Sequence, residues 1–409
     1  MPLHKLHTFN SLKIPGFRIY CLSMVGQWAA MAMQNVVMGL FVYRLTGSTA
    51  ILGTMSLASA IPQILVAPFT GVLIDRFSKK RLMQIGQAVF AVTSGIIAIL
   101  LQTKFLDGAH PDSWLLLVGI SAIQGMTGAL LWSARMAMVP ELVNRDKVAN
   151  ATSLTTIGMN IFQLIAPACG GYLIDKVNFE AVFLTIGGFY LISILFTNFL
   201  PSREGISHHR GNVFVDMVEG LKYVSKNVTL LWILIYTLLS SMIVFPLGAM
   251  ISVFSDSILK VGATGLGLLQ GLQAVGALLT VLIIATLTIK KRGLLMLGTG
   301  LVLGLAQAAF AFSTSYPLSL LIMIFVGLGS AGQITLATIL IQTNSDPGQL
   351  GRVTSLFLLV LGISGLITFG SGFVAEAIGV QWTVGGVSLL QAAATVLILL
   401  LVPKLRKLE

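Results

Sequence analysis

The sequence predicts an all-α membrane protein of twelve transmembrane helices, arranged as two pseudo-symmetric six-helix bundles. Three observations carry that expectation. Of the 409 residues, 56% are hydrophobic and only 10% charged, where soluble domains carry roughly a quarter charged residues. The apolar residues gather into runs near the twenty or so that a helix needs to cross a bilayer. The cations fall in short clusters between those runs, concentrated in every second connection, as expected for cytoplasmic loops.

The spans follow in order. The first, near 18–43, starts after Lys13 and Arg18 and stops at Arg44-Leu45-Thr46-Gly47. The second and third, 50–74 and 82–102, flank the charged turn Asp75-Arg76-Phe77-Ser78-Lys79-Lys80-Arg81 and read as a hairpin. The fourth, 114–139, ends at Pro140-Glu141, the fifth, 149–174, follows Arg145-Asp146-Lys147, and the sixth, 180–200, closes at Pro201. In the second half the spans lie near 229–254, 264–289, 293–313, 317–342, 353–377 and 382–402. Length alone would admit ten or eleven, because Pro246 and the glycines of 262–276 blur two of them. The charges decide for twelve. With both termini cytoplasmic, every Lys and Arg of the 25 except Arg44, Lys104, Lys176 and Lys260 lies inside, the asymmetry that orients multi-pass proteins in a cell (inner) membrane.

The net charge of +11 would suit a nucleic-acid partner, but cations sandwiched between apolar spans suit anionic lipid headgroups instead. The two cysteines, Cys21 and Cys169, both lie inside spans, so no disulfide framework is implied. The longest polar break, 201 to 227, divides the chain into residues 1–200, a linker 201–228 and residues 229–409. Within the linker, Phe214, Met217, Val218, Leu221 and Val224 recur at helical spacing against Asp216, Glu219, Lys222 and Lys226. That helix lies either in the inner headgroup layer or packed on the bundle. Two echoes relate the segments: Arg145 to Leu154 with Pro347 to Leu356, and Gly71-Val-Leu-Ile-Asp75 with Gly171-Tyr-Leu-Ile-Asp175. The second pair falls at opposite membrane faces, as an inverted repeat nested within one half requires.

Four pieces of the chain resemble the major facilitator superfamily, and most closely its macrolide-efflux and siderophore-exporter branch. They are Gln34-Asn35-Val36 with Val42 to Ser48, the Gly71-x-x-x-Asp75-Arg76 turn with its cations, Pro140-Glu141-Leu142-Val143 with Arg145, and Ala166-Pro167-x-x-Gly170-Gly171. Ser78 stands where the turn usually has Gly, and Phe162 and Ala166 replace earlier glycines of the antiporter motif. The resemblance implies the major facilitator fold and a monomeric secondary exporter. It would move amphipathic small molecules by alternating access, in exchange for protons, with neither cofactor nor metal. It also implies a latch on the cytoplasmic side around Gly71, Asp75, Arg76, Arg81, Arg135, Glu141 and Arg145. There the Asp75 carboxylate would accept hydrogen bonds from the N–H groups that open span eleven, and Arg76 and Arg81 would pair with Glu141 or Asp146. Alternatively these charges only set topology. Pro167, Gly170 and Gly171 would bend span five and admit a neighbouring helix.

Polar residues deep in a span line a cavity or find a partner, because each is costly in hydrocarbon. Candidates for the cavity are Gln27, Met31, Gln34, Asn35, Gln124, Trp132, Asn160, Gln163, Tyr236 and Gln333, with Trp28 as a further soft wall. Helix–helix hydrogen bonding is the alternative for each amide. None of the fourteen acids falls mid-span; where the branch often carries one in span one, this chain reads Ala30-Met31-Ala32-Met33. The nearest possible proton site is Asp256 with Glu376, at the outer ends of spans seven and eleven. The carboxylate-poor interior keeps a second function in view, a facilitator or flippase for lipids or lysophospholipids. The chain carries no phosphate-binding loop and no set of catalytic residues in recognisable spacing, so it is not expected to be an enzyme.

Overall fold

The computed structural model describes all residues except 1–9, 107–111, 145–146, 202–212, 287–290, 347–348, 407 and 409, together with the side chains of 10, 68, 71, 72, 75, 149, 213–218, 285, 358 and 404. All regular structure among the described residues is helical. In chain order the helices are α1 Pro15–Thr46, α2 Thr49–Arg76, α3 Lys79–Gln102, α4 Trp114–Leu142, α5 Val148–Lys176 and α6 Phe179–Asn198. There follow α7 Val213–Lys226, α8 Val228–Val253, α9 Gly262–Thr286, α10 Arg292–Phe312 and α11 Tyr316–Asn344, then α12 Leu350–Gly362, α13 Ser364–Ile378, α14 Val380–Leu401 and the short α15 Pro403–Arg406. Among the described residues twelve spans are long and apolar enough to cross a membrane, with α12 and α13 together forming the eleventh.

Local chemistry sets the tight connections. Pro15 sits in the first turn of α1, where its missing N–H costs nothing. Gly47, at φ 66°, ends α1 in the left-handed conformation that glycine adopts without strain, and its N–H bonds Tyr43. Ser48 then caps α2 by accepting from the Ile51 N–H, so the first two spans turn within two residues. Ser78 does the same for α3, accepting from the Arg81 N–H. A capping serine therefore serves the α2–α3 turn where the family pattern has glycine.

α1 to α6 pack together through α2 on α4, α3 on α6, and α1 on α5 and α6; α8 to α14 pack through α9 and α10 on α11, and α10 on α14. The two sets meet chiefly along α2–α13 and α5–α9. Since successive spans alternate in direction, the α2–α3 turn and the ends of α4, α6 and α14 share one face, here the basic face. The α1–α2 and α5–α6 connections share the far face.

Two features differ from expectation. Pro246 and Pro167 lie inside continuous helices, and span seven extends through a π-helical turn at Phe254–Ile258. Span eleven, expected to be unbroken, divides at Ile363 between α12 and α13, where Gly362 faces the Ile64 side chain of α2. The described part of the linker helix α7 packs on the second set: Val224 is buried among Leu230, Leu340 and Val353. The Tyr223 hydroxyl lies 2.9 Å from Asp346, and Glu219 pairs with Arg352 at 2.7 Å. Leu221 points outward; Phe214, Asp216, Met217 and Val218 lie outside the described side chains.

Candidate functional site

A cavity of about 430 Å³ lies between the two sets, walled mostly by α1, α2 and α4 and closed on the other side by Gly248, Ala249 and Ser252 of α8 and Gln270 of α9. Six of the predicted cavity residues meet there: Gln27, Met31, Gln34, Asn35, Gln124 and Trp132. Their spacing explains it, since 27, 31, 34 and 35 repeat at three and four residues and so form one stripe of α1. The amides are partly anchored. Gln87 donates to the Gln27 carbonyl oxygen at 3.1 Å and accepts from Thr197, while Gln124 donates to Thr93 at 2.9 Å. The Gln34 carbonyl oxygen is buried without a partner. Gln63, Ser56 and Ser59 of α2 complete a polar wall, and among the described residues none that lines the cavity is acidic.

Arg135 is not where the latch reading put it. It lines this cavity, with its residue 4% exposed. Its guanidinium carbon stacks 4.1 Å from the centre of the Trp132 ring, one helical turn away. The Tyr20 hydroxyl donates to the Arg135 backbone carbonyl at 3.3 Å, not to the guanidinium, and Nη1 is buried without a partner. Glu141 lies six residues on, roughly 9 Å along the axis, and its carboxylate is taken by Lys79.

Four other predicted cavity residues lie elsewhere. The Tyr236 hydroxyl is 3.2 Å from Thr395, and Gln333 donates to Thr237 at 3.5 Å, so both serve contacts among the last six spans. Asn160 is half-buried and Gln163 exposed on α5, and neither lines the cavity. Trp28 packs on Phe162 and over Gly158 of α5, joining α1 to α5 rather than forming a cavity wall.

The far face is shut by side chains that cross between the sets. Arg44 grips Asp256 through Nη2 at 2.7 Å and Nε at 3.1 Å, and the Tyr43 hydroxyl meets Ser257 at 2.6 Å. Glu376, at the end of α13, accepts from the Ser48 hydroxyl at 2.8 Å and from the Ala50 N–H at 3.0 Å, at the start of α2. Asp175, at the end of α5, accepts from the N–H groups of Ala263 and Thr264 at 3.2 and 2.7 Å, and from the Thr264 hydroxyl at 2.7 Å, at the start of α9. The last two contacts are the same device: an acid ending one set's fifth span caps the helix opening the other set's second span. Each carboxylate satisfies N–H groups left unpaired in the first turn of a helix. Asp256 and Glu376 thus take part in closure at the far face and do not line the cavity.

The antiporter-motif residues abut the same seam. A Cβ on Gly171 would lie 2.1 Å from the Ala263 carbonyl oxygen, and one on Gly267 would lie 2.4 Å from the Pro167 carbonyl oxygen. Gly170 faces Met33 and Val37 of α1 instead. Pro167 and Gly171 therefore allow α5 and α9 to touch backbone to backbone.

At the basic face, Arg76 and Arg81 are exposed, and Glu141 pairs with Lys79 rather than with either arginine. Lys79 opens α3 on the side that packs against α4; Arg81, two residues on, is rotated about 200° away. Lys80 donates to the Asn198 carbonyl oxygen at the end of α6 at 2.6 Å. The side chains of Asp75 and Gly71, and Arg145 and Asp146 altogether, lie outside the described residues. Sequence reasoning noticed the Gly171–Asp175 echo without giving Asp175 a role, and missed Arg44 as a cross-contact. The repeated Gly-x-x-x-Asp was the available signal.

Comparison with known proteins agrees with this architecture. Residues 20–369 match the family profile of the Major Facilitator Superfamily. The multidrug efflux pump Tap of Mycolicibacterium fortuitum is 24% identical, over 89% of this chain and 90% of its own. The enterobactin exporter EntS of Salmonella choleraesuis is 23% identical, over 84% and 81%. Among solved structures, a bacterial homologue of the iron transporter ferroportin in an inward-facing state superposes with a TM-score of 0.70 at 20% identity, over 94% of this chain and 98% of that one.

Proposed function

The chain belongs to the Major Facilitator Superfamily, and we propose that within it the protein exports amphipathic small molecules, its basic face cytoplasmic and its far face outside. The observation that carries this reading is a cavity walled by amides and hydroxyls and an exposed tryptophan, lying between two helix sets that are tied at the far face by breakable contacts. Such a cavity gives apolar ligands soft walls and gives their polar groups orienting partners. The state described is the one that loads from the cytoplasm. Opening the far face breaks the Arg44–Asp256, Glu376–α2 and Asp175–α9 contacts and releases cargo outside. The drug and siderophore exporters among the relatives support an outward direction.

Because no acid lines the cavity among the described residues, proton coupling in this reading runs through the far-face carboxylates. A proton taken from outside by Glu376 or Asp256 removes the charge that holds the closure. The lipid-handling reading retains one specific support, the same acid-free cavity, and the test separates the two. In reconstituted vesicles a fluorescent amphipathic dye and a labelled lysophospholipid are followed in parallel under an imposed pH gradient. Export predicts gradient-driven dye movement, lost or uncoupled in the Asp256→Asn, Glu376→Gln double variant. Gradient-independent movement of the lipid alone would transfer the protein to the second reading. Gradient-driven dye movement left intact in the double variant would remove both acids from the coupling.

A further inference from the structure

We infer that the cargo is an organic anion with an apolar body, and that Arg135 is the residue that binds its anionic group; the inference rests on the cavity being the transport site. Arg135 is a cation embedded in a membrane span, where such a residue is rare and marks a pathway or a partner. Among the described residues it has no carboxylate partner. Its guanidinium stacks on the Trp132 ring, and the nearby Tyr20 hydroxyl bonds the Arg135 backbone carbonyl only. Nη1 is left buried and unpaired although the residue as a whole is 4% exposed. A desolvated donor without an acceptor is unfavourable, and Arg135 borders a cavity with no acid among its described lining residues. The missing acceptor is then supplied by what enters the cavity.

The neighbouring groups define the rest of the ligand. Trp132, which also lines the cavity, stacks one face on the guanidinium, which holds the planar fork in place for a carboxylate or phosphate. The exposed ring edge and Met31 offer contact to an apolar or aromatic body. Asn35, exposed on the cavity side of α1, can donate to further oxygens. A neutral or cationic amphiphile would leave the guanidinium unanswered, and a cationic one would be repelled by it.

The same anionic chemistry occurs in small organic acids and in lysophospholipid headgroups, so the test carries both. Pyrenebutyrate, its neutral amide and lysophosphatidylglycerol are titrated against the purified full-length protein in uncharged detergent. Arg135→Gln and Arg135→Lys serve as variants, and unfolding midpoints verify that they fold. The parent should bind pyrenebutyrate at least tenfold more tightly than the amide. Arg135→Gln should erase that preference while leaving amide binding unchanged, and Arg135→Lys should keep part of it. Displacement of pyrenebutyrate by lysophosphatidylglycerol at comparable concentration would assign the anion to a lipid, and failure to displace it would assign it to a small acid. Equal binding of acid and amide by the parent, or an equal loss of both in Arg135→Gln, overturns the inference. Should Arg135→Gln not fold, the parent's preference and its retention in Arg135→Lys decide. Vesicle transport of the two pyrenes keeps the export reading separate: equal movement of both upholds export and rejects the anion, and movement of neither rejects export.

Discussion

The two faces of the seam are built differently. At the far face, side chains and helix starts of one set hold groups of the other: Arg44 with Asp256, Glu376 with the first turn of α2, Asp175 with the first turn of α9. At the basic face, the polar contacts between described residues stay within one set, as Lys79 with Glu141, or join the linker helix to the last six spans, as Tyr223 with Asp346. The far-face contacts are few, local and partly solvated, so each contributes little and the group can be released in sequence. A fused interface would seal as well but would not open. Closure here combines an ion pair with helix caps supplied from the opposite half, contacts that lose their strength once the ends separate by a few ångströms.

The largest expected effect comes from the backbone contact beneath those caps. Gly171→Leu places a side chain where even a Cβ would sit 2.1 Å from Ala263. Forcing α5 from α9 should cost on the order of 1–3 kcal/mol. In a background without Cys21 and Cys169, a cysteine at Ser56 in the cavity should react with an impermeant thiol reagent from the far face at least tenfold faster in this variant. Unchanged labelling would mean that the α5–α9 contact does not gate the cavity.

Next come the capping acids. Asp175→Asn and Glu376→Gln each weaken a helix cap made across the seam, a loss of about 1 kcal/mol. Each should raise the same labelling severalfold. Because the two caps sit on different helix pairs, their effects should add in the double variant, and a double variant no more reactive than either single one would show that they act as one unit. Smaller still is Arg44→Ala. The pair is about 30% exposed on each side (32% and 27%), and such ion pairs contribute roughly 0.2–1 kcal/mol, so the effect should shrink further in high salt. The smallest expected effect is a null on the other face: Lys79→Met breaks a contact within one set and should leave far-face labelling unchanged.

Much of this plan was legible in the sequence. Twelve spans follow from apolar run length together with the placement of the cations, and the α1 stripe Gln27, Met31, Gln34 and Asn35 follows from helical spacing, because an amide in hydrocarbon must face either a cavity or a partner. Which of the two it faces was not legible. Tyr236 and Gln333 read like Gln124, but their partners Thr395 and Thr237 lie on helices that only packing brings near. Arg135 was misread because its distance from the end of α4 was visible while its rotation toward Trp132 and the cavity was not. Asp175 escaped for another reason. Its partners are two backbone N–H groups and the Thr264 hydroxyl at the start of α9, a helix that only packing brings to the end of α5.

The central claim is that the far face and the basic face exchange closure. Spin labels at Val177 and Ile378, exposed at the far ends of the two sets, report one face; labels at Phe77 and Leu294, exposed near the basic ends, report the other. Pulsed dipolar spectroscopy of both pairs in liposomes, with and without pyrenebutyrate and in the parent and Gly171→Leu proteins, measures the exchange directly. The account predicts two populations in which the far-face distance lengthens as the basic-face distance shortens, in matching proportions across all conditions. A single unchanging far-face distance, or both distances lengthening together, would contradict it.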